Sequence, residues 1–290
     1  MKKILFLSFI LLFGLELALA QEDARNAEAG QAYNSGLELA RKEKFKEAVA
    51  EFKKAVAADA NFPQAHYMLA VCYKKLSDYK NAEAQFKEAI NKDSKFEVAY
   101  VALANLQAEM DRITDAINTF SAALAFSPNS AKANYGLGKI YYDQKKFTNA
   151  LPLLEKATQA DANYSLAYSV KGLTLKALRR YEEAEKAFQS AIDTERKRTS
   201  KGTFYYYLGE VHMLEKKYNQ AIDAFNNALK MSRSAIKKAG ANFNLGKIYQ
   251  SMGQNQKARQ YFKDAAKNSS WKQAAEYEID IIDNPSKYSN

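Results

Sequence analysis

Small and bulky apolar residues recur along this chain at a fixed interval. A marker alanine returns every 34 residues through the first five copies and then at intervals of 37, and the markers are Ala48, Ala82, Ala116, Ala150, Ala184, Ala221 and Ala258. A bulky residue follows each marker four places later, and another alanine comes three places after that. This spacing puts all three residues on one face of a helix. Repetition at a period of about 20 to 50 residues predicts a solenoid of stacked units.

A second recurring position precedes each marker alanine by twelve residues and always carries Gly or Ala. Its occupants are Gly36, Ala70, Ala104, Gly138, Gly172, Gly209 and Gly246. A glycine inside a helix costs roughly 0.5 to 1 kcal/mol relative to alanine, so its recurrence indicates that another helix must approach closely there. Short polar segments separate the two patterns. Each unit is therefore predicted to be an antiparallel pair, helix A followed by helix B.

The pattern places seven repeats over residues 29–270, bounded as 29–62, 63–96, 97–130, 131–164, 165–201, 202–238 and 239–270. Apolar residues at helical spacing continue beyond them and predict a capping helix over 271–282, beginning at Trp271. Residues 21–28 and 283–290 are predicted to be flexible tails. With only 11 Gly and 4 Pro, the composition also favours an all-α chain.

The repeated residues resemble the tetratricopeptide repeat, most clearly at Leu137 to Tyr141 (LGKIY) and Leu245 to Tyr249 (LGKIY). The resemblance implies a right-handed α-solenoid of seven helix pairs plus the capping helix. It also implies that the A helices line a concave groove and the B helices face outward. Proteins of this family mostly bind other proteins, so the resemblance implies a non-enzymatic scaffold that binds a peptide or protein segment in the groove.

Two sets of A-helix residues are candidates for contact with that partner. Aromatic residues three places before the recurring Gly or Ala form the aromatic stripe, which comprises Tyr33, Tyr67, Tyr135, Tyr206 and Phe243. Polar residues one place after it form the polar groove set, which comprises Asn105, Lys139 and Lys247. Tyrosine rings anchor peptides at low entropic cost. The alternative is that the rings fill space between helices, and helix position alone does not separate the two.

The two 37-residue intervals concentrate basic residues at the junctions of repeats 5/6 and 6/7. These residues form the basic edge, which comprises Arg196, Lys197, Arg198, Lys201, Arg233, Lys237 and Lys238. Such an edge suits an anionic envelope component or surface. The alternative is an extra helical turn with solvated charges. A third functional alternative is a subunit of an envelope assembly or secretion complex.

The first twenty residues have the pattern of a cleavable bacterial signal peptide. Lys2 and Lys3 precede an apolar stretch from Ile4 to Leu15, and small residues end at Ala20. We therefore expect a periplasmic protein without a transmembrane anchor after cleavage, with full secretion as the alternative. Cleavage lowers the net charge only from +10 to +9, and export makes nucleic acid an unexpected partner.

Residues that could support catalysis are sparse. His66 and His212 lie in different repeats at packing positions, and neither is spaced with Cys or acidic residues as zinc ligands are. Cys72 is the sole cysteine and lies within an apolar helix, which favours inert packing. The GLGK sequence at 136–139 falls inside a repeat helix, not a phosphate-binding loop. We expect no enzymatic activity, cofactor or metal, and the sequence leaves the oligomeric state open.

Overall fold

The computed structural model describes residues 26–288. The predicted signal peptide, the first part of the N-terminal tail and the last two residues lie outside this range. Within it the chain forms fifteen α-helices and one short 3-10 helix, and no β-strand occurs among these residues. None of the described helices is both long and apolar enough to cross a membrane.

The helices alternate as A and B members of seven pairs, followed by one further helix. The A helices are α1 (26–41), α3 (Pro63–Lys75), α5 (Glu97–Glu109), α7 (Ala131–Asp143), α9 (Ser165–Ala177), α11 (Arg198–Leu214) and α13 (Ala235–Ser251). The B helices are α2 (Phe45–Ala58), α4 (Tyr79–Lys92), α6 (Ile113–Phe126), α8 (Phe147–Ala160), α10 (Tyr181–Thr194), α12 (Tyr218–Met231) and α14 (Asn255–Ala266). The last helix is α15 (Ser269–Asp283), and the 3-10 helix is Pro285–Lys287. The predicted solenoid of helix pairs is confirmed.

Each A helix ends in the same tight turn. In the second pair the backbone N–H of Asp78 donates to the carbonyl of Tyr73 at 2.9 Å, and Ser77 between them has a φ of 60°. This is the hydrogen-bonding pattern of a Schellman motif, which reverses the chain and satisfies carbonyls at the helix end. The same left-handed conformation recurs at each of the other A–B turns. Local backbone geometry therefore sets each antiparallel pair.

The small position of helix A and the bulky position of helix B pack directly against each other. A Cβ atom built on Gly209 would lie 2.7 Å from the Phe225 ring, and one on Gly36 would lie 2.7 Å from Phe52. The bulky residues of all seven B helices are fully buried. In α3 and α5 the small residue is an alanine. Alanine as well as glycine therefore permits the close approach of helix B to helix A.

Two compact units make up the chain, one ending at Pro128 and the other beginning at Asn129. In the first unit, each helix from α2 to α5 packs on the next helix in sequence, and the series ends at α6. In the second, neighbouring A helices also contact each other, from α7 through α9 and α11 to α13, and α13 contacts α15. Among the described residues, no two B helices contact each other as extensively as these neighbouring A helices do. Because the more closely spaced layer lies inside a curve, the A helices form the inner surface of the second unit.

The structure differs from several predicted boundaries. Helices α11 and α13 each contain 17 residues, whereas the four preceding A helices contain 13, and they begin before the predicted repeat starts at 202 and 239. The extra residues of the long repeats extend helix A by one turn. At the C-terminus Lys287 donates to Asp280 at 2.8 Å, so this part of the predicted flexible tail is held against α15. Residues 26–28 already belong to α1.

We predict that Gly202→Ala destabilises the protein. A Cβ at Gly202, directly after the added turn of α11, would lie 2.3 Å from the backbone nitrogen of Ser232, and backbone atoms cannot move aside cheaply. Overpacking costs about 1 to 3 kcal/mol, which exceeds the gain of about 1 kcal/mol from replacing a helical glycine. Thermal denaturation should show a melting temperature several degrees below wild type.

The control is Gly30→Ala in α1, where a Cβ meets nothing within 4 Å. This variant should melt at or slightly above the wild-type temperature, because only the helix-propensity gain applies. Equal melting temperatures for Gly202→Ala and Gly30→Ala would contradict the close packing of α11 on the α12–α13 junction.

Candidate functional site

The rings of the aromatic stripe pack between helices. Tyr33 lies 5.7 Å from Phe52 on its own helix B and 4.9 Å from Phe62 just before the next helix A, measured between ring centroids. Tyr67 repeats both contacts at 5.7 and 5.6 Å with Phe86 and Phe96. The stripe therefore belongs to the packing layer that joins each repeat to the next.

In the second unit, Tyr135 and Phe243 of the aromatic stripe also pack against rings of neighbouring helices or turns. Tyr135 packs 4.9 Å from Tyr164, and Phe243 packs 5.4 Å from Phe262 and 5.0 Å from Trp271. Burial raises the pKa of Tyr135 and raises that of Tyr164 to about 12. These contacts match the space-filling alternative for the rings. Each of these rings retains only partial exposure.

Tyr206 departs furthest from the expected binding role. Its side chain is 6% exposed and packs 5.9 Å from Phe225, so it has no face free for a ligand. The prediction that Tyr206 is a contact residue is wrong in this respect. Helix α13 covers this ring, since a Cβ on Gly240 would lie 2.9 Å from the Tyr206 hydroxyl and the ammonium of Lys237, in the added turn, lies 4.6 Å from the ring centroid.

The residues of the polar groove set differ in exposure and in their ion-pair partners. Asn105 in the first unit is exposed, and its side chain makes no hydrogen bond with another described residue. In the second unit Lys139 is exposed and pairs with Asp143 at 2.6 Å. Lys247 pairs at 2.9 Å with Glu278, a largely buried residue of α15. Lys247 therefore anchors the last helix, whereas the solvated pair of Lys139 is weak enough to exchange for a ligand carboxylate.

The inner surface of the second unit also carries polar and aromatic residues outside the predicted site, although one of them, Glu210, occupies the same repeat position as Lys139. Lys176 of α9 donates to Glu210 of α11 at 2.5 Å, and its ammonium lies 5.7 Å from the Tyr207 ring centroid. Burial raises the pKa of Tyr142 on α7, and nearby Tyr207 and Glu210 raise it further. These residues lie on three successive A helices. Tyr142 and Lys176 share one repeat position, two helical turns beyond the stripe position of their helices, and a polar or aromatic residue at that position was the available signal.

The basic edge is exposed except at two positions. Arg196, Lys197, Arg198, Arg233 and Lys238 are exposed, and Lys201 and Lys237 are half-buried. The two junctions are neighbours, because Gly202 packs on the backbone at Ser232. The alternative of an added helical turn describes this backbone correctly, since both long A helices contain one. The charges nevertheless remain at the surface of the second unit.

Lys237 differs from the exposed residues of the basic edge. Its ammonium donates to the Tyr207 hydroxyl at 2.9 Å and lies 4.1 and 4.6 Å from the ring centroids of Tyr207 and Tyr206. This geometry is a cation–π contact with two rings. The ammonium of Lys237 is therefore engaged with tyrosines of α11, and its predicted part in the basic edge stays a prediction.

Glu195 organises the first basic junction. Burial opposes its ionisation, but hydrogen bonds from the backbone of Lys197, the hydroxyl of Ser165 and the backbone of Arg196 outweigh that effect and lower its pKa. The backbone N–H groups of Arg196 and Lys197 donate to its carboxylate at 2.8 and 2.9 Å. This carboxylate lies at the N-terminus of α11, where the helix dipole favours negative charge.

The residues considered for catalysis occupy packing positions, as predicted. Burial raises the pKa of the Cys72 thiol to about 11, so the reactive thiolate is scarce at neutral pH. His66 is buried, with Nδ1 2.8 Å from Gln85 Oε1 and Nε2 3.3 Å from the Ala60 carbonyl. His212 is also buried, but it lies beside two carboxylates from Glu185 and Glu215, and these three residues could hold a metal ion. Sequence spacing missed this group because Glu185 comes from the preceding repeat.

Comparisons with known proteins give a consistent result. The tetratricopeptide repeat pattern matches residues 33–95, 101–165, 166–198 and 201–269. No curated protein matches the chain significantly.

Several solved structures share this architecture. PilF from Pseudomonas aeruginosa is 16% identical, with 74% of this chain and 96% of that one covered and a TM-score of 0.65. The C-terminal part of a TPR repeat-containing protein from Cytophaga hutchinsonii is 15% identical, with 85% and 99% covered and a TM-score of 0.66. YrrB, a TPR protein with an unusual peptide-binding site, is 19% identical, with 62% and 91% covered and a TM-score of 0.52. At these identities the likeness shows the fold alone.

Proposed function

Since the chain belongs to the tetratricopeptide repeat family, we propose that it is a non-enzymatic interaction scaffold that binds a peptide or protein segment on its A-helix surface. The family fold supports a protein-interaction scaffold in general. The observation that carries the finer proposal is the row of polar and aromatic side chains on neighbouring A helices of the second unit. The Lys176–Glu210 pair beside Tyr207 marks its centre.

The chemistry of this row suits an extended or helical protein segment. Tyr142 and Tyr207 provide aromatic area with a polar edge, as residues that dominate protein interfaces do. Lys139 and Glu210 carry opposite charges, and their side chains are 50% and 26% exposed. The solvated pair of Lys139 can exchange for a partner carboxylate at small cost. The row therefore favours a partner with both charged and apolar side chains.

The first unit offers a smaller surface of the same kind. Asn105 is exposed at the repeat position that corresponds to Lys139, and Lys74 pairs with Glu109 of the next A helix at 2.7 Å. Tyr67 is half-buried against Phe86 and Phe96. An amide with both donor and acceptor capacity can hydrogen-bond the backbone of a bound segment. The peptide-binding site of YrrB supports this proposal by analogy of fold.

We further propose that the protein acts in the bacterial periplasm, since residues 1–20 have the composition of a cleavable signal peptide. A role as subunit of an envelope assembly or secretion complex is compatible with the same surface. Mass spectrometry of the periplasmic fraction should then find a chain that begins after Ala20. A chain retaining residues 1–20 in the cytoplasmic fraction would contradict export.

We predict that a photocrosslinking amino acid placed on the A-helix surface captures a protein partner in cells. Asn105 and Lys139 are suitable positions because both are exposed and lie on A helices. Lys46 on α2 and Lys186 on α10 are the matched controls, since both are exposed on B helices. Specific adducts should form at the A-helix positions and be absent from the controls. Equal adducts on both helix layers, or adducts confined to B helices, would contradict the proposal.

The basic edge supports a second candidate function, association with an anionic envelope surface. Arg196, Arg198, Arg233 and Lys238 are exposed, and none of them forms an ion pair with another described residue. Unpaired arginine and lysine side chains grouped on adjacent junctions attract anionic headgroups. Lys237 is left out of this group because its ammonium donates a hydrogen bond to the Tyr207 hydroxyl.

We predict that the protein binds phosphatidylglycerol vesicles in a salt-dependent way and that neutralising this edge abolishes binding. Each basic side chain near an anionic surface contributes about 1 kcal/mol, so changing Arg196, Arg198, Arg233 and Lys238 to Gln should weaken binding more than a hundredfold. The measurement is vesicle cosedimentation at increasing salt, with phosphatidylcholine vesicles as the uncharged reference.

A charge-matched control separates this local effect from net charge. The exposed B-helix residues Lys46, Lys156, Lys186 and Lys230 can be changed to Gln together, which removes the same number of charges. This control should retain most of the vesicle binding. If both quadruple variants lose binding equally, the basic edge is not a specific surface.

A further inference from the structure

A buried polar cluster joins the fifth repeat to the sixth. Glu185 lies on α10, His212 lies in the last turn of α11, and Glu215 follows directly at the end of that helix. One ligand atom from each residue lies within 4.8 Å of the other two. The Nδ1 atom of His212 is 3.8 Å from Oε2 of Glu185.

One atom of this cluster is buried without a hydrogen-bond partner. His212 is 5% exposed and its Nδ1 is unsatisfied, whereas the buried Oε2 of Glu215 pairs with the Lys217 ammonium. The nearest cation is the ammonium of Lys217, 2.8 Å from Glu185 and 3.1 Å from Glu215. A buried polar atom without a partner is costly, so such atoms indicate that a binding partner belongs there.

The equivalent junction between the second and third repeats shows which of these side chains the repeat packing requires. There Glu83 pairs with Arg112 at 2.7 Å, just as Glu185 pairs with Lys217. The position of His212 is taken by Gln107, which accepts a hydrogen bond from Thr119, and that of Glu215 is taken by Met110. The other turns carry no carboxylate at the position of Glu215, where they have Lys42, Leu76, Gln144, Leu178 and Met252. A second buried carboxylate and an unsatisfied histidine are therefore additions to the repeat pattern.

The charge balance of the cluster favours a divalent cation. Two carboxylates face a single ammonium, which leaves one negative charge uncompensated. A neutral imidazole has a lone pair on one ring nitrogen, and that nitrogen can bind a metal. The cluster offers one imidazole nitrogen and two carboxylate oxygens, and zinc binds both of these kinds of ligand atom in proteins.

We propose that Glu185, His212 and Glu215 form a site for a divalent transition metal, Zn²⁺ in particular. His212 Nδ1 and one oxygen from each carboxylate are the ligands, and water completes the tetrahedron. Lys217 occupies the cation position in the metal-free protein and moves outward when the metal binds, since its side chain is 35% exposed. The bound metal links α10 to the turn between α11 and α12 and so holds two repeats together.

The test measures Zn²⁺ binding by the full chain through competition with a chromophoric chelator, with thermal denaturation as a second readout. We expect one Zn²⁺ per chain and a higher melting temperature in its presence, with no effect of Mg²⁺. His212→Gln and Glu215→Gln should each weaken binding at least tenfold. Lys217→Met should strengthen it at least tenfold, because it removes the competing charge.

Matched controls use the junction that lacks the extra ligands and the other histidine. Glu83→Gln and His66→Gln should bind Zn²⁺ as wild type does. Failure of both wild type and Lys217→Met to bind Zn²⁺ overturns the proposal, as does unchanged affinity in His212→Gln. Circular dichroism verifies the fold of each variant, and if His212→Gln loses helix, Glu215→Gln provides the same comparison.

Discussion

The contact between the small residue of helix A and the bulky residue of helix B is the constraint on which the other features depend. Where glycine occupies the small position opposite a phenylalanine, an added Cβ would lie less than 3 Å from that ring. The contact recurs in every repeat, and it fixes how closely each pair approaches. The aromatic stripe then fills the space between one pair and the next. A repeat protein distributes its stability over such local and nearest-neighbour contacts.

This packing determines which residues remain for function. Rings such as Tyr67 and Tyr135 contribute to the stack first and offer only an edge to a partner. Side chains beyond them, including Lys139, Lys176 and Tyr207, lie on the A helices without being required by the repeated contact. The added turns of α11 and α13 bring further charges to the second unit and direct Lys237 onto Tyr207. We therefore expect the functional residues at positions where the repeats differ from one another.

The fold could be predicted from sequence because its determinants are local and repeated. The spacing of Gly209, Ala221 and Phe225 alone defines one helix pair, and seven copies remove the ambiguity. The candidate sites were predicted less well, since exposure depends on neighbouring repeats. Nothing near Tyr206 in sequence shows that Gly240 will cover it, and Glu185 meets His212 only after α10 packs on α11. Such contacts depend on the side chains of two repeats at once.

The central claim is that the aromatic stripe maintains the packing of the repeats while the adjoining polar residues are free to bind. Urea denaturation of Tyr135→Ala beside Lys139→Ala tests it most directly. Loss of the half-buried Tyr135 ring should lower the free energy of unfolding by about 2 kcal/mol, roughly half the cost of removing a fully buried ring. Loss of the exposed Lys139 should change it by less than about 0.5 kcal/mol. Wild-type stability in Tyr135→Ala would contradict the account.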